Sequence, residues 1–215
     1  ICVKESCCCD MSGLSLKNVT LSLIDTAKNK AVYKELGEML FTHFGVSGPL
    51  VLSASAYVKK SDYRLEIDLK PALDDKKLDA RLLRDFGEQH AKQISTVMRG
   101  LLPQAMVEPV LDKAGVAIDT KISEITKVQR AAIVNALKRF DLTVTGLRPI
   151  EEAIITDGGV SLKEIDPKTM QSKLIDGLYF AGEIIDCAAY TGGYNLQIAF
   201  STAHSAAAAA AAGRR

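Results

Sequence analysis

Residues 63–86 read YRLEIDLKPALDDKKLDARLLRDF, and the hydrophobic period changes inside this one stretch. Tyr63, Leu65, Ile67 and Leu69 alternate with polar residues. Successive side chains of a strand point to opposite faces, so this alternation predicts a half-buried strand. After Asp74, a helix-capping residue, Leu78, Leu82, Leu83 and Phe86 recur at helical spacing and predict an amphipathic helix. A strand pattern that gives way to helices predicts a mixed fold, α+β or α/β.

Upstream, Ser15–Ile24 (SLKNVTLSLI) sets Leu16, Val19, Leu21 and Leu23 near period two, a second half-buried antiparallel strand. Leu36–Leu40 leads into Thr42, His43, Phe44, Gly45, Val46, Ser47, Gly48 and Pro49, where two glycines and a proline predict a turn. The apolar stretch Leu50–Tyr57 fits either a strand or a short helix. Downstream, Ile94, Val97, Met98, Leu101 and Leu102 predict a second helix ended by Pro103, and Pro103–Lys113 a third stopped by Gly115. A fourth starts at Thr126, with Gln129 at the capping-box position, and runs through Ile133, Leu137 and Phe140. Strands return at Leu142–Leu147 and Ala153–Ile155, and Asp157, Gly158 and Gly159 turn into a further extended run, Val160–Ile165. The expected division is a β-rich domain at 1–73 and 141–155, a helical subdomain at 74–140, and a C-terminal part at 156–215.

With 215 residues and 47% hydrophobic composition the chain can bury a sizeable core. Its 27 basic residues stand against 26 acidic ones, so no broad positive field exists to attract nucleic acid or an anionic membrane, and neither is expected as a partner. No apolar run reaches the roughly 18–20 residues that cross a bilayer, and the first residues lack a signal-peptide layout, which makes the cytoplasm the expected location. The cysteines are Cys2, Cys7, Cys8, Cys9 and Cys187, an odd set without disulfide spacing. On an extended chain the triplet would point to alternating faces, so free thiols are expected and no metal site; Cys187 is expected to be packed. His90 and His204 are expected to be solvated, Asp74 and Asp75 to start a helix, and Glu151 and Glu152 to lie on a strand edge.

Near the C-terminus, Leu178–Ala181 is a continuous apolar run of the kind found in buried parallel strands. Gly182 and Glu183 follow, then Thr191, Gly192, Gly193 and a helix from about Tyr194; Ala206–Ala212, before Gly213, Arg214 and Arg215, extends that helix by propensity alone. A helix start preceded by glycines offers unsatisfied N–H groups and a positive dipole end to an electron-rich ligand. A Gly-Glu pair at a strand end can meet a ribose-type hydroxyl. The same residues also make a strand terminator, a loop and a cap at Asn195, and composition alone leaves that plainer reading standing.

Three segments carry a resemblance: GEMLFTHFGVSGPLVLSAS at 37–55, LTVTGLRPIEEAIITDGGV at 142–160, and TDGGVSLKEIDPKTMQSKLIDGLYFAGEIIDCAAYTGGYNLQIAFST at 156–202. In this order they resemble the BaiN/YhiN-type NAD(P)/FAD-dependent oxidoreductases, from about Gly13 to Thr202. The resemblance implies an inserted antiparallel β-barrel with a helical subdomain, plus the C-terminal strand-turn-helix of a Rossmann-like FAD-binding domain. It implies FAD as cofactor and NAD(P)H as electron donor, with electrons passed to an organic small-molecule substrate or to oxygen. Gly182 and Glu183 would contact the ribityl and phosphate region of FAD. Gly192, Gly193, Tyr194, Asn195, Leu196 and Gln197 would lie beneath the flavin ring, and Thr156, Asp157, Gly158 and Gly159 beside it. Asp186 stands where the family commonly begins Asp-Val-Asp; here Asp186, Cys187 and Ala188 follow instead, without the second acid. His43, in a family motif of the inserted domain, is a candidate proton donor, against a plainer reading as a histidine packed between Phe41 and Phe44. The family's GxGxxG fingerprint is absent from this sequence. The expected partner is therefore an N-terminal half of the same protein, with weak or no FAD binding by this stretch alone and self-association through its strand edge. The competing reading is a non-catalytic barrel and helical interaction module.

Overall fold

Leu21 pairs with Ile67 and Leu23 with Leu65 across two antiparallel strands, and all four side chains are wholly buried. Such same-face pairs are the unit of sheet stabilisation, and their alternation is the pattern visible in the sequence. The computed structural model describes residues 1–59 and 62–213, so Arg214 and Arg215 lie outside the described residues. Six strands, β1 (Cys2–Val3), β2 (Ser15–Asp25), β3 (Lys30–Thr42), β4 (Gly45–Ser47), β5 (Tyr63–Asp68) and β6 (Phe140–Gly146), close a barrel in the order β1-β4-β3-β2-β5-β6, every pair antiparallel. Closure removes the exposed edges that an open sheet presents. At the β1–β4 seam Gly45 has φ of 143°, and a Cβ there would lie 2.6 Å from the Ile1 carbonyl oxygen, so the seam needs glycine.

Helices α1 (Cys7–Asp10) and α2 (Pro49–Ser55) pack on the barrel; α3 (Asp75–Glu88), α4 (Ile94–Met98), α5 (Gln104–Lys113) and α6 (Lys127–Lys138) form the helical subdomain. The Asp74 carboxylate accepts the Lys77 N–H at 2.8 Å, and Thr126 and Gln129 form both halves of a capping box. Leu78, Leu82, Ile94, Met98, Met106, Val110, Ile133 and Leu137 are buried and continuous with the barrel core. The subdomain leaves after β5 and returns into β6, its neighbour in the barrel. Lys138 fixes this junction: its ammonium reaches Asp68 at 2.6 Å and the carbonyls of Leu73 and Lys70 at 2.6 and 3.1 Å.

Several expectations are corrected here. The open choice at Leu50–Tyr57 resolves as a helix, with Pro49 at its first turn, where a missing N–H costs nothing. Cys7, Cys8 and Cys9 lie on a helical turn, not on an extended chain. His90 is exposed, as expected, but lies in the turn after α3 and not in the helix itself. Leu83, one position past the buried Leu82, is rotated off the core face and 48% exposed.

Residues from Arg148 onward form a second compact unit. Short 3-10 turns occupy Ile150–Glu152, Leu162–Glu164 and Gly182–Ile184, and the long helix α7 spans Tyr194–Ala212. The strands expected at Ala153–Ile155, Val160–Ile165 and Leu178–Ala181 do not form ladders. Val160 bridges Ile185 in parallel, Tyr179 bridges Gln171 and Ile165 bridges Ser172 antiparallel, each as an isolated pair. A strand needs a neighbour along its whole length, and among the described residues these segments meet partners at single positions only. Glu151 and Glu152 therefore sit on a 3-10 turn, not a strand edge. Among the described residues no helix is long and apolar enough to cross a membrane.

Candidate functional site

Helix α7 begins directly after Gly192 and Gly193, with φ of 118° and 89°. The first N–H groups of a helix lack intrahelical acceptors, and a helix of this length carries a positive end that favours an electron-rich group. Gly193 has no atom within 4 Å of where a Cβ would stand, so the backbone is open to close approach. Tyr194 and Leu196, in the first turn of α7, are 63% and 64% exposed, and Phe200, further along the helix, is 70% exposed. The side chain of Gln197 is turned along the helix, donating to Ser201 at 2.9 Å.

Asn195 faces back toward the loop. Its Oδ1 accepts the Ala189 N–H and its Nδ2 donates to the Ala189 carbonyl, both at 2.8 Å. Thr202, which the sequence reading did not single out, accepts the Gly182 N–H at 2.9 Å. No local signal marks it, because its partner lies 20 positions upstream.

Two of the expected site segments meet. Glu183 Oε1 accepts both the backbone N–H of Thr156 at 2.6 Å and its hydroxyl at 3.0 Å. These two donors, the backbone one first, hold the Glu183 carboxyl below its ordinary value. Val160 donates its N–H to the Ile184 carbonyl at 2.8 Å and its own carbonyl accepts the Asp186 N–H at 3.0 Å. Gly159 lies so close to this crossing that a Cβ would collide with the Ile184 carbonyl. Thr156, Asp157, Gly158, Gly159, Glu183 and Asp186 are all exposed. Cys187, expected to be packed, is exposed as well, since the segment around it lies on the surface instead of in a sheet.

His43 lies in the β3–β4 turn and is exposed, with its ring edge-on to Phe44 at 5.1 Å. It is not packed between Phe41 and Phe44, because Phe41 points into the barrel and is fully buried. The His43 carbonyl accepts the Cys9 thiol at 2.9 Å. In the same unit a cavity of about 480 Å³ is lined by Cys7, Asp10, Arg99, Glu108 and Asp112 among others. The Cys8 thiol, and to a lesser degree the Lys113 ammonium, bring Cys7 down to about 7, while Cys8 itself is pushed up. Among the described residues no group of three or more His, Cys, Asp or Glu is placed to hold a metal ion.

The family described as "HI0933-like protein barrel and H2TH domain" matches residues 3–155. The chain is 34% identical over 197 residues to a ribosomal RNA dihydrouridine synthase of Haemophilus influenzae, covering 92% of this chain and 46% of that protein. It is 31% identical over 188 residues to a protein of the same name from Escherichia coli, covering 87% and 45%. It is 27% identical over 183 residues to a 3-dehydro-bile acid delta(4,6)-reductase of Clostridium scindens, covering 83% and 45%. The chain spans about half the length of the curated relatives it matches.

Proposed function

The chain belongs to the HI0933-like protein family, and on that premise we propose that the whole protein is a flavin-dependent oxidoreductase that reduces a carbon–carbon double bond conjugated to a carbonyl. The observation that carries this reading is the open start of α7 behind Gly192 and Gly193, in the same compact unit as the Thr156–Glu183 link. These residues fit a flat ring with an electron-rich edge: backbone N–H groups and a dipole at the edge, no Cβ at Gly193 to bar approach, and exposed apolar side chains alongside. FAD, when bound, supplies hydride uptake from NAD(P)H and hydride delivery to the acceptor. The chain's own part is to orient the ring through the α7 start, to steady negative charge at its edge, and to keep the Thr156–Gly159 segment beside it.

The remaining half of the protein is the partner of this chain. Leu174, Ile154, Phe200 and Leu196 are each more than 60% exposed, apolar side chains that a further segment would cover in the cytoplasm.

Both kinds of relative are named for the same chemistry, since a dihydrouridine and a reduced delta(4,6) system each arise by adding two hydrogens across a conjugated double bond. Two acceptors follow. A uracil ring in ribosomal RNA is favoured by the relatives at 34% and 31% identity. A small-molecule enone is favoured by the third relative and by the even charge balance, 27 basic against 26 acidic residues. The test mixes the full-length protein, FAD and NAD(P)H with a uridine-rich ribosomal RNA fragment or with a steroid dienone. NAD(P)H consumption with a mass gain of two hydrogens on one acceptor supports the reading and identifies the class. A flavin-loaded protein that reduces neither overturns it, and failure to take up FAD leaves the non-catalytic module.

A further inference from the structure

Asn195 and Thr202 lie seven positions apart on α7, two helical turns, and therefore on one face. Both reach back to the main chain of the segment that precedes the helix. Asn195 takes hold of the N–H and the carbonyl of a single residue, Ala189, which fixes both the position and the tilt of that stretch of chain. Thr202 donates its own hydroxyl to the Ile198 carbonyl at 2.7 Å, which turns an oxygen lone pair outward to accept the Gly182 N–H. Gly182 has φ of 76° and lies 3.8 Å, by its absent Cβ, from the Ala199 methyl. Residues 182–189 are thus pinned to α7 at both ends.

We propose that Asn195 and Thr202 are positioning residues that preset the Gly182–Glu183 turn and the Gly192–Gly193 loop for the flavin. This rests on the flavin reading above. It moves Asn195 from the ring-contacting set to the support of the loop, and it adds Thr202, the last residue of the 156–202 segment, to which the resemblance gave no role. The chemistry demands a specific group at each position. Asp at 195 keeps the acceptor and loses the donor; Val at 202 keeps the shape and loses the hydroxyl; Ser at 202 keeps the hydroxyl.

The experiment uses the full-length protein and the variants Asn195→Asp, Thr202→Val and Thr202→Ser. FAD affinity is read from flavin fluorescence, ring environment from the fine structure of the flavin absorption band, and the tethers from hydrogen exchange at the amides of Gly182 and Ala189. Thr202→Val should weaken FAD binding about tenfold and speed exchange at Gly182, Asn195→Asp should do the same at Ala189, and Thr202→Ser should restore wild-type behaviour. Wild-type affinity and spectrum in Thr202→Val and Asn195→Asp, or a loss that Thr202→Ser does not rescue, overturns the proposal while the flavin reading stands. If the wild-type protein takes up no FAD, the flavin reading itself fails, and the role assigned to the two residues falls with it even where exchange responds.

Discussion

Thr156 gives its backbone N–H and its hydroxyl to one oxygen, Oε1 of Glu183, across 27 positions of sequence. A single carboxylate thereby ties the Asp157–Gly159 stretch to the turn before α7. Two donors on one oxygen favour the charged form, which is why Glu183 titrates below its ordinary value.

That shift has a sign. A carboxyl depressed in the folded state stabilises above its unfolded value of 4.5 and stops doing so as pH falls below 4.5 through the lowered folded value. The protection factor of the Thr156 amide should therefore hold steady at neutral pH and decline in acid below about 4.5. Glu183→Gln should show lower protection at neutral pH and no acid step. Amide exchange followed by NMR across pH 3 to 7, a range set about the carboxylate value, checks both.

Lys138 is the second test. Its side chain is only 11% exposed, and its ammonium joins Asp68 to two carbonyls at the point where the helical subdomain re-enters the barrel. Lys138→Met strips the ammonium from the partly buried Asp68, which retains the Lys70 N–H, and from the Leu73 carbonyl, and should cost about 2–4 kcal/mol in urea unfolding. Asp68→Asn, which leaves the ammonium its two carbonyls, should cost less.

Cys7 should react as a thiolate near neutrality. Its alkylation rate by iodoacetamide should rise with pH around a midpoint of about 7. Cys8→Ala should move that midpoint up toward the ordinary thiol value of 9.0, since the Cys8 thiol is the largest cause of the shift, and Lys113→Met should move it up by less. Peptide mass spectrometry resolves Cys7 from the exposed Cys9.

The strands and helices that carry their own periodicity were legible from sequence. Tyr63, Leu65 and Ile67 alternate because one face of β5 is core, and Thr126 with Gln129 announces α6 because capping is local chemistry. What periodicity could not give was pairing. β1 and β4 are too short to show a period, yet they close the barrel at Gly45, where the signal is one glycine's close approach. Leu178–Ala181 has the composition of a buried strand, but composition does not supply the neighbouring strand that would make it one. In the site, the glycines and Glu183 were visible as residue types. The Thr156–Glu183 and Gly182–Thr202 links join positions 27 and 20 apart, and nothing local encodes them.

The return of the helical subdomain to the strand beside its exit bears on how this barrel assembles. β5 and β6 can pair only after everything from Leu69 to Arg139 has closed into a loop, and as a disordered loop that closure would be a late, slow event. Helices form from near neighbours, and with α3 packed on α6 and the Leu69 N–H bonded to the Leu137 carbonyl at 2.9 Å, the loop's ends are already side by side. The subdomain is therefore expected to form early and to bring β5 and β6 together. Truncating Leu82 or Ile133 should slow folding, whereas truncating Leu23, deep in the barrel, should act mainly by speeding unfolding, a contrast that stopped-flow kinetics would read directly.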